Sequence, residues 1–351
     1  MTIGIVLHPY GEKKPSGLGR YIFELTKTLL EQDKENKYII YLKNKSQKLP
    51  DLNGNYKIKI LGWRKFWLDL GLFFAPRADI YIFNTPRMPL FFKPKKSIVI
   101  ALDFAYKYFK PGRPILSFIN KLALEKCERI ISVSQATKND IIKFFKIPEE
   151  KIKVIYPGFN NICSLSPKTI EISGKYFLYV GVIKERKNLL NAVRAFCEFK
   201  KKDSQDYKLF IIGKKGGEYY EKINDFIKNN KLEKEIIFLD FIDDNELSYI
   251  YKNAQVLVFP SMIEGFGFTI LEAMSCGLPV ITSNCSSMAE VGDEAVLLVD
   301  PKEIESISNA MEKIVNNEDI RKKLIQKGYE QIKNFSWQKS AEEFIDLFKK
   351  I

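Results

Sequence analysis

The chain has 351 residues, of which 46% are hydrophobic, and its formal net charge is +13. This length allows two domains with buried cores, since a domain commonly has about 100–200 residues. No apolar run approaches the roughly 18 residues that a membrane span needs, and the first residues lack the basic start of a signal peptide. We therefore expect a cytoplasmic protein.

The first half of the chain looks like a doubly wound parallel sheet, because short apolar runs alternate with helical patterns. The predicted strands are residues 1–7, 38–42, 56–61, 80–83, 97–102, 129–133 and 153–156. The predicted helices are residues 21–30, 116–126 and 138–145. Residues 157–173 have the proline, glycine, asparagine and serine content of a linker.

The same alternation then restarts. The predicted strands are residues 176–180, 208–212, 236–238, 256–259, 280–282 and 295–299. The predicted helices are residues 189–201, 219–229, 246–252, 301–315, 318–334 and 336–351. We predict an α/β protein of two Rossmann-like domains, residues 1–160 and 174–335, which face a cleft that binds the ligand.

Charge is distributed unevenly between these halves. Residues 1–170 contain 30 Lys and Arg against 14 Asp and Glu, whereas residues 171–351 contain 26 against 29. The first half is therefore expected to face an anionic partner.

Metal ligands and nucleophile–base pairs are scarce. Five cysteines occur, at Cys127, Cys163, Cys197, Cys276 and Cys285. Their odd number and the absence of a C-x-x-C pair fit a reducing compartment and predict neither a disulfide framework nor a zinc site. His8 is the only histidine, which excludes a Ser-His-Asp or Cys-His mechanism unless His8 takes part. No Asp-x-Asp pair is present to hold a divalent ion.

The most specific pattern lies between the predicted strands 256–259 and 280–282. A glycine-rich loop there leads into a short helix, and Glu264 and Glu272 lie eight residues apart, about two helical turns. Loop amides and a helix N-terminus can hold a phosphate, and two carboxylates can accept hydrogen bonds from hydroxyls, so we expect a sugar nucleotide. A structural connection with a solvated acidic face has the same pattern.

Residues 264–272, Glu-Gly-Phe-Gly-Phe-Thr-Ile-Leu-Glu, resemble the E-x7-E signature of the family 4 (group 1) retaining glycosyltransferases. The resemblance covers nearly the whole chain and implies a GT-B fold, with the donor bound by the second domain and helix 336–351 packed on the first. It implies that Glu264 binds donor sugar hydroxyls and Glu272 the ribose. It also implies amide contacts to sugar and phosphate from Gly265, Phe266, Gly267, Phe268 and Thr269.

Two further segments are candidates for binding the donor's diphosphate. Gly17 and Gly19 follow the first strand, where glycines allow close backbone approach, although a structural turn fits equally well. Arg186 and Lys187 can neutralise a departing diphosphate without a metal, or they form a solvated basic loop. The resemblance assigns Lys187 to the phosphates, and Arg186 is a candidate to replace the family's arginine, which is Val182 here. Ile242 lies in a segment that resembles the one contacting the nucleotide base.

The end of the predicted strand 97–102 departs from the family pattern. The family strand ends in His-Asp, whereas this chain has Leu102 and Asp103. Asp103 is a candidate base or acceptor-side group. A residue that only caps the following turn is the alternative, and Ser134 is another candidate for a structural role.

Basic and aromatic residues interleave in the first half, for example in Trp63-Arg-Lys-Phe-Trp67, Phe91-Phe-Lys-Pro-Lys-Lys96, Tyr106-Lys-Tyr-Phe-Lys110 and Lys143-Phe-Phe-Lys146. Such runs suit an anionic membrane surface or single-stranded nucleic acid, and half-buried strands also contain them. We expect peripheral docking on the membrane near a lipid-linked acceptor. Nucleic-acid binding would explain the charge but not the segment from Glu264 to Glu272.

The sequence therefore predicts a hexosyltransferase of polysaccharide biosynthesis without a metal or cofactor. It would move a hexose from GDP-mannose or a UDP-sugar to a glycan or lipid-linked acceptor, with Glu264, Lys187 and Asp103 as catalytic residues. A non-catalytic nucleotide-sugar-binding protein and a nucleotide-sugar epimerase or phosphorylase are the alternatives.

Overall fold

The computed structural model describes residues 1–8, 17–44, 52–62, 66–109, 112–172, 174–202, 205–239 and 242–351. Residues 63–65 and Lys110 of the basic and aromatic runs, and residue 173 of the predicted linker, lie outside these ranges. The chain forms two compact units, one of Met1–Gly158 with Phe335–Ile351 and the other of Phe159–Asn334.

The first unit contains a seven-stranded parallel sheet in the order β3-β2-β1-β4-β5-β6-β7. Its strands are β1 (Thr2–Val6), β2 (Lys37–Leu42), β3 (Tyr56–Ile60), β4 (Ile80–Phe83), β5 (Lys96–Ala101), β6 (Arg129–Ser132) and β7 (Ile152–Val154). Its helices include α1 (Gly17–Gln32), α2 (Trp67–Phe73), α3 (Tyr106–Phe109), α4 (Pro114–Lys126) and α5 (Gln135–Phe145). The central strands are continuous apolar runs because helices cover both faces of a parallel sheet.

The second unit contains a six-stranded parallel sheet in the order β10-β9-β8-β11-β12-β13. Its strands are β8 (Lys175–Val180), β9 (Tyr207–Ile212), β10 (Ile236–Leu239), β11 (Val256–Phe259), β12 (Val280–Ser283) and β13 (Leu297–Val299). Its helices are α6 (Leu189–Lys202), α7 (Glu218–Asn229), α8 (Asp244–Asn253), α9 (Phe268–Ser275), α10 (Ser286–Gly292), α11 (Ile304–Asn316) and α12 (Glu318–Gln331). The predicted α/β class with two doubly wound sheets is confirmed.

The last helix, α13 (Trp337–Lys350), belongs to the first unit and packs against α1. The ring of Trp337 lies 5.7 Å from that of Tyr21, and Phe344 is fully buried. Lys153 Nζ and Glu343 Oε2 form an ion pair at 2.9 Å. An apolar face and a surface ion pair thus hold the end of the chain against the first sheet.

Three short helices, α2, α3 and α10, were not predicted. Trp67, the first residue of α2 and the last of one basic and aromatic run, is only 8% exposed and belongs to the core. Phe92 and Phe145 are core residues as well, whereas Phe91 is exposed. The aromatic residues of these runs are thus divided between the core and the surface.

The expectation of no disulfide is also wrong. Cys163, in a short helical turn within the predicted linker, is bonded to Cys276 at the end of α9, with a Cα–Cα distance of 5.2 Å. The two cysteines are 113 residues apart in sequence, so no local spacing indicates the pair. Cys127, by contrast, is a free thiol whose pKa is raised to about 12 by burial.

None of the helices within the described ranges combines the length and the apolar character that crossing a bilayer requires.

Gly158 provides a test of how the start of α13 packs on the first unit. A Cβ atom at this position would lie 2.1 Å from the backbone nitrogen of Trp337, whereas one at Gly112 would meet nothing within 4 Å. We expect Gly158→Ala to lower the thermal unfolding midpoint by about 4 °C or more, since such a clash costs about 1–3 kcal/mol. Circular dichroism measures it, with Gly112→Ala as the control; equal midpoints for the two variants would contradict this packing.

Candidate functional site

The candidate site lies at the carboxyl ends of β8 and β11, which are neighbours in the second sheet. The loop after β8 contains a single helical turn, Glu185–Lys187, and the loop after β11 contains Glu264. Because the strands are parallel and adjacent, the two loops emerge side by side at the edge where open α/β sheets bind ligands.

The Glu264 carboxylate joins the two loops. One oxygen accepts from Arg186 Nη1 at 3.1 Å, and the other is paired with Lys187 Nζ and accepts from Ser261 Oγ at 2.8 Å. The side chains of Glu264 and Lys187 are 11% and 12% exposed, and that of Arg186 is 23% exposed. Two cations therefore share one carboxylate in a mostly buried place, which leaves an excess positive charge suited to an anion.

Backbone and ring contacts hold the two cations in place. Arg186 Nη1 also donates to the Ile263 carbonyl at 3.1 Å, and Lys187 Nζ lies 4.8 Å from the centre of the Phe259 ring. The Lys187 carbonyl accepts from the hydroxyl of Tyr179, whose pKa is raised well above 10, first by burial and then by the charge of Glu264. Tyr179 is therefore a neutral donor that positions this turn.

Asn188 fixes the end of the turn. Its φ of 58° lies in the left-handed region, which Asn tolerates better than most residues. Its side-chain amide is buried and donates to the carbonyl of Pro260 at 3.0 Å and to that of Pro301 at 2.6 Å. Asn188 thus ties the loop after β8 to the loop after β11 and to the segment after β13.

The loop from Glu264 to Gly267 is held by two serines of α10 that sequence reasoning missed. The hydroxyls of Ser286 and Ser287 each donate to the Glu264 carbonyl at 2.9 Å, and Ser287 also donates to the Phe266 carbonyl. The only sequence signal for them is a pair of small polar residues directly after a buried strand. These serines bind the backbone of the loop, so the Glu264 side chain can pair with Arg186 and Lys187. They also fix the backbone just before α9 begins.

Helix α9 begins at Phe268, after Gly267 with a φ of 146°, which favours glycine. The amides of Phe268 and Thr269 have no partner inside the helix, as is general for a first turn, so they can bind an anion. Glu264 lies before the helix begins. The predicted separation of two helical turns between Glu264 and Glu272 is therefore wrong.

Glu272 lies on α9 and is half-buried. Its Oε2 accepts from the hydroxyl of Tyr251 at 3.2 Å. Tyr251 is fully buried, and its pKa is raised well above 10 by that burial and then by Glu272. The carboxylate is thus held by a neutral phenol beside the candidate phosphate site. Ile242 lies in the same unit, directly before Asp243, whose side chain caps the N-terminus of α8.

The remaining predicted residues belong to the first unit. Gly17 and Gly19 are in the first turn of α1. Asp103 is exposed after β5, where its Oδ1 accepts from the backbone nitrogen of Ala105 at 3.0 Å. This bond is the one expected of a residue that caps a turn. Ser134 caps α5 by accepting from Thr137 nitrogen at 3.0 Å, which is a structural role.

No group of three or more His, Cys, Asp and Glu side chains able to hold a metal occurs within the described ranges. Metal independence stays a prediction based on the missing Asp-x-Asp pair.

Comparison with known proteins covers most of the chain. A family model described as glycosyl transferases group 1 matches residues 167–331, and one described as glycosyltransferase family 4 matches residues 15–161. The chain is 29% identical over 236 residues to O-antigen chain mannosyltransferase B of Escherichia coli. The aligned region spans 65% of this chain and 62% of that protein. It is 32% identical over 197 residues to O-antigen chain mannosyltransferase RfbU of Salmonella typhimurium, over 56% and 54% of the two chains. The match thus spans less than two thirds of each relative.

A solved structure of Anabaena HepE in complex with UDP and glucose has the same fold. The TM-score is 0.76 over 100% of both chains at 15% sequence identity. The fold is therefore GT-B, as predicted.

Removal of the shared carboxylate should destabilise the second unit. In Glu264→Gln, Arg186 and Lys187 would face each other without their counter-ion, at a cost of about 1–3 kcal/mol. The matched control is Glu294→Gln, which breaks a pair with Lys327 in which the Glu294 side chain is 77% exposed and which should change stability far less. Urea unfolding followed by circular dichroism compares them; equal losses would show that the cluster is not a buried ion pair.

Proposed function

The chain belongs to the group 1 glycosyltransferases of family 4, and from this premise we propose that it is a retaining hexosyltransferase. It moves a hexose from a nucleotide sugar to a glycan or lipid-linked acceptor in polysaccharide biosynthesis, without a metal. The observation that supports this most directly is the cluster of Lys187, Arg186 and Glu264, two cations on one carboxylate beside the first turn of α9.

The cluster has the charges that a departing nucleoside diphosphate requires. In the transition state, negative charge grows on the bridging oxygen of the diphosphate, and fixed cations and helix amides stabilise it there. Lys187, Arg186 and the amides of Phe268 and Thr269 provide this stabilisation. Lys187 thereby replaces a divalent ion.

Glu264 has a second task in this proposal. Once the diphosphate takes over part of the charge of Lys187 and Arg186, the carboxylate accepts hydrogen bonds from the donor sugar hydroxyls. Ser261 holds one of its oxygens in either state. Glu272, oriented by Tyr251, accepts from the ribose hydroxyls.

We favour attack on the face from which the diphosphate leaves. The acceptor hydroxyl forms the new glycosidic bond as the bond to the phosphate oxygen breaks, and its proton passes to the departing diphosphate. The configuration at the anomeric carbon is retained without a covalent glycosyl-enzyme. Asp103, whose side chain caps a turn, is the acceptor-side candidate, and its exposure keeps it open to an acceptor.

The relatives indicate the donor sugar. Two of them are named as mannosyltransferases of O-antigen chains, which favours GDP-mannose, and HepE was solved with UDP and glucose, which keeps UDP-sugars as candidates. A non-catalytic binding protein would bind these donors without turnover, and an epimerase or phosphorylase would turn one over without an acceptor.

The decisive assay measures donor cleavage and transfer with GDP-mannose, UDP-glucose and UDP-N-acetylglucosamine, each with and without EDTA. We expect turnover of one donor, unaffected by EDTA, and NMR of the product should show the anomeric configuration of the donor. Donor binding without any turnover would overturn the proposal, and an EDTA-sensitive rate would overturn its metal-independent part.

Lys187→Met should lower kcat about a hundredfold or more while it changes the donor KM less, because the ammonium acts mainly on developing charge. The matched control is Lys184→Met, three residues away and exposed, which should leave both constants unchanged. A similar kcat for the two variants would exclude the role of Lys187.

We also propose that the first unit docks on an anionic membrane. Seven large apolar side chains there are 49–75% exposed, and we call them the apolar surface: Phe66, Phe73, Phe74, Leu90, Phe91, Ile115 and Phe118. Residues 66–118 contain eight Lys and Arg against three Asp and Glu, and one of these acids, Asp69, is buried. Apolar side chains among cations suit a bilayer with anionic headgroups.

Buried polar side chains hold this surface together. Asp69 of α2 accepts from the backbone nitrogens of Leu90 and Phe91. Asn120 of α4 donates to the Pro86 carbonyl at 2.8 Å. The loop between β4 and β5 is thereby anchored to α2 and α4, while the side chains of Leu90 and Phe91 point to solvent.

Vesicle flotation tests the docking. Wild-type protein should float with phosphatidylglycerol-containing vesicles and stay behind with phosphatidylcholine alone, and Leu90→Asp with Phe91→Asp should weaken binding roughly tenfold or more. Leu298→Asp in β13, where the side chain is 46% exposed in the second unit, is the control and should bind as wild type does. Absence of charge-dependent flotation would contradict the proposal.

A further inference from the structure

The disulfide between Cys163 and Cys276 lies one helical turn from Glu272, the residue proposed to bind the donor's ribose. Cys276 directly follows α9, and Glu272 precedes it by four residues, so the two side chains lie on the same side of the helix. Cys163 belongs to a single helical turn, Ile162–Ser164, which packs against both α8 and α9. The disulfide therefore fastens this turn to the end of the helix that carries Glu272.

A second link between α8 and α9 lies next to the disulfide. The Tyr251 hydroxyl of α8 donates to Glu272 Oε2 at 3.2 Å. Ser248, three residues before Tyr251, donates from its hydroxyl to Cys163 Sγ at 3.8 Å. Positions three and four residues apart share one face of a helix, so the two links lie side by side on the same faces of α8 and α9. A shift of α9 at the disulfide therefore also alters the bond between Tyr251 and Glu272.

Other contacts hold the turn on α8. Lys168, which follows the turn, donates from its backbone nitrogen to the Asn245 carbonyl at 3.2 Å. The ammonium of Lys168 is paired with Glu246 Oε1 at 2.6 Å and with Asp243 Oδ2 at 3.5 Å, both at the start of α8. Ile162 of the turn is buried. Reduction of the disulfide therefore frees α9 from a turn that stays attached to α8.

The disulfide is open to exchange with a dithiol. Cys163 and Cys276 are both partly exposed, whereas the free thiols of Cys127 and Cys197 are buried. A thiolate of the reductant attacks one sulfur and forms a mixed disulfide, and the other cysteine leaves as a thiolate that takes up a proton. The second thiol of the reductant then displaces the first cysteine, so that the protein gains two electrons and two protons and the reductant leaves as its own disulfide. The reverse exchange with an oxidised thiol such as oxidised glutathione restores the bond.

We propose that the pair of Cys163 and Cys276 is a thiol switch that sets how tightly the donor nucleotide binds. In the disulfide form, α9 is held against the turn, and Glu272 keeps the position in which Tyr251 donates to it. In the dithiol form, the carboxyl end of α9 is released, the carboxylate leaves that position, and the ribose hydroxyls lose their acceptor. The inference rests on the proposed binding of the donor's ribose by Glu272, but the thiol state and the mobility of α9 can be measured without a donor.

The first experiment compares nucleotide affinity in the two redox forms. The full chain is equilibrated with oxidised glutathione or with reduced dithiothreitol, and calorimetry measures binding of GDP, UDP and their 2′,3′-dideoxy forms. We expect the disulfide form to bind GDP or UDP roughly tenfold more tightly, as for one hydrogen bond to a charged group. The dideoxy nucleotide lacks the hydroxyls that Glu272 binds, so its affinity should be the same in both forms. A disulfide that only stabilises the fold would not distinguish the two kinds of nucleotide.

Serine variants separate the switch from other effects of the reagents. Cys163→Ser should bind GDP or UDP as reduced wild type does, under both conditions. Cys197→Ser is the matched control, because it removes a free thiol of α6 in the same unit, and it should keep both the wild-type affinity and its dependence on the redox state. Thermal unfolding checks that each variant is folded. Alkylation followed by mass spectrometry should count three free thiols in oxidised wild type and five in reduced wild type.

Hydrogen exchange provides a second readout that needs no ligand. Reduction should speed amide exchange in the last turn of α9, because this turn loses its covalent attachment. Exchange in α6, which the disulfide does not touch, should stay the same in both forms. Cys163→Ser should show the fast exchange of α9 without any reductant.

The outcomes separate the switch from the proposed transfer reaction. Equal affinities of the two redox forms for GDP and UDP, or an equal redox effect on the dideoxy nucleotides, would overturn the switch and leave the transfer reaction standing. Five free thiols after oxidation, or α9 exchange that is the same in both forms, would overturn the switch as well. Binding of neither nucleotide to either form would overturn the proposed donor site and, with it, the control of donor affinity.

Discussion

The second unit depends on one shared carboxylate. Glu264 comes from the loop after β11, and the cations Arg186 and Lys187 come from the loop after β8, so a single ion-pair cluster sets the spacing of the two loops. The cluster is mostly buried, where an unpaired charge is costly, and this cost opposes any separation of the loops. Ser261, Asn188 and the serines of α10 satisfy the backbone around it. The arrangement thus leaves one excess positive charge beside the first-turn amides of α9, which have no partner inside the helix.

In the first unit, buried polar side chains anchor a surface loop instead of forming an ion-pair cluster. Asp69 and Asn120 are almost completely buried, and both bind the backbone of the loop between β4 and β5, while Asn120 also accepts from the Tyr106 hydroxyl at 2.8 Å. Asp69 thereby holds the backbone of Leu90 and Phe91 from the core side, while the side chains of both residues are exposed.

Much of the fold follows from local sequence, since runs such as residues 80–83 and 256–259 are apolar throughout and so must be buried on both faces. The predictions that were wrong concern residues whose partners are distant in sequence. Cys163 and Cys276 meet only because a turn within the predicted linker packs on α9. The serines of α10 could not be predicted, because their role is set by the Glu264 carbonyl, which is more than twenty residues away.

Arg186 and Lys187 are held by one carboxylate through different contacts. The guanidinium of Arg186 is held by Glu264 and by the Ile263 carbonyl, so its planar group has a fixed direction. The ammonium of Lys187 is paired with the other oxygen of the same carboxylate and lies 4.8 Å from the centre of the Phe259 ring. The protein therefore holds both cations in place before any ligand binds. In the proposed reaction, neither cation has to reorganise to meet a diphosphate.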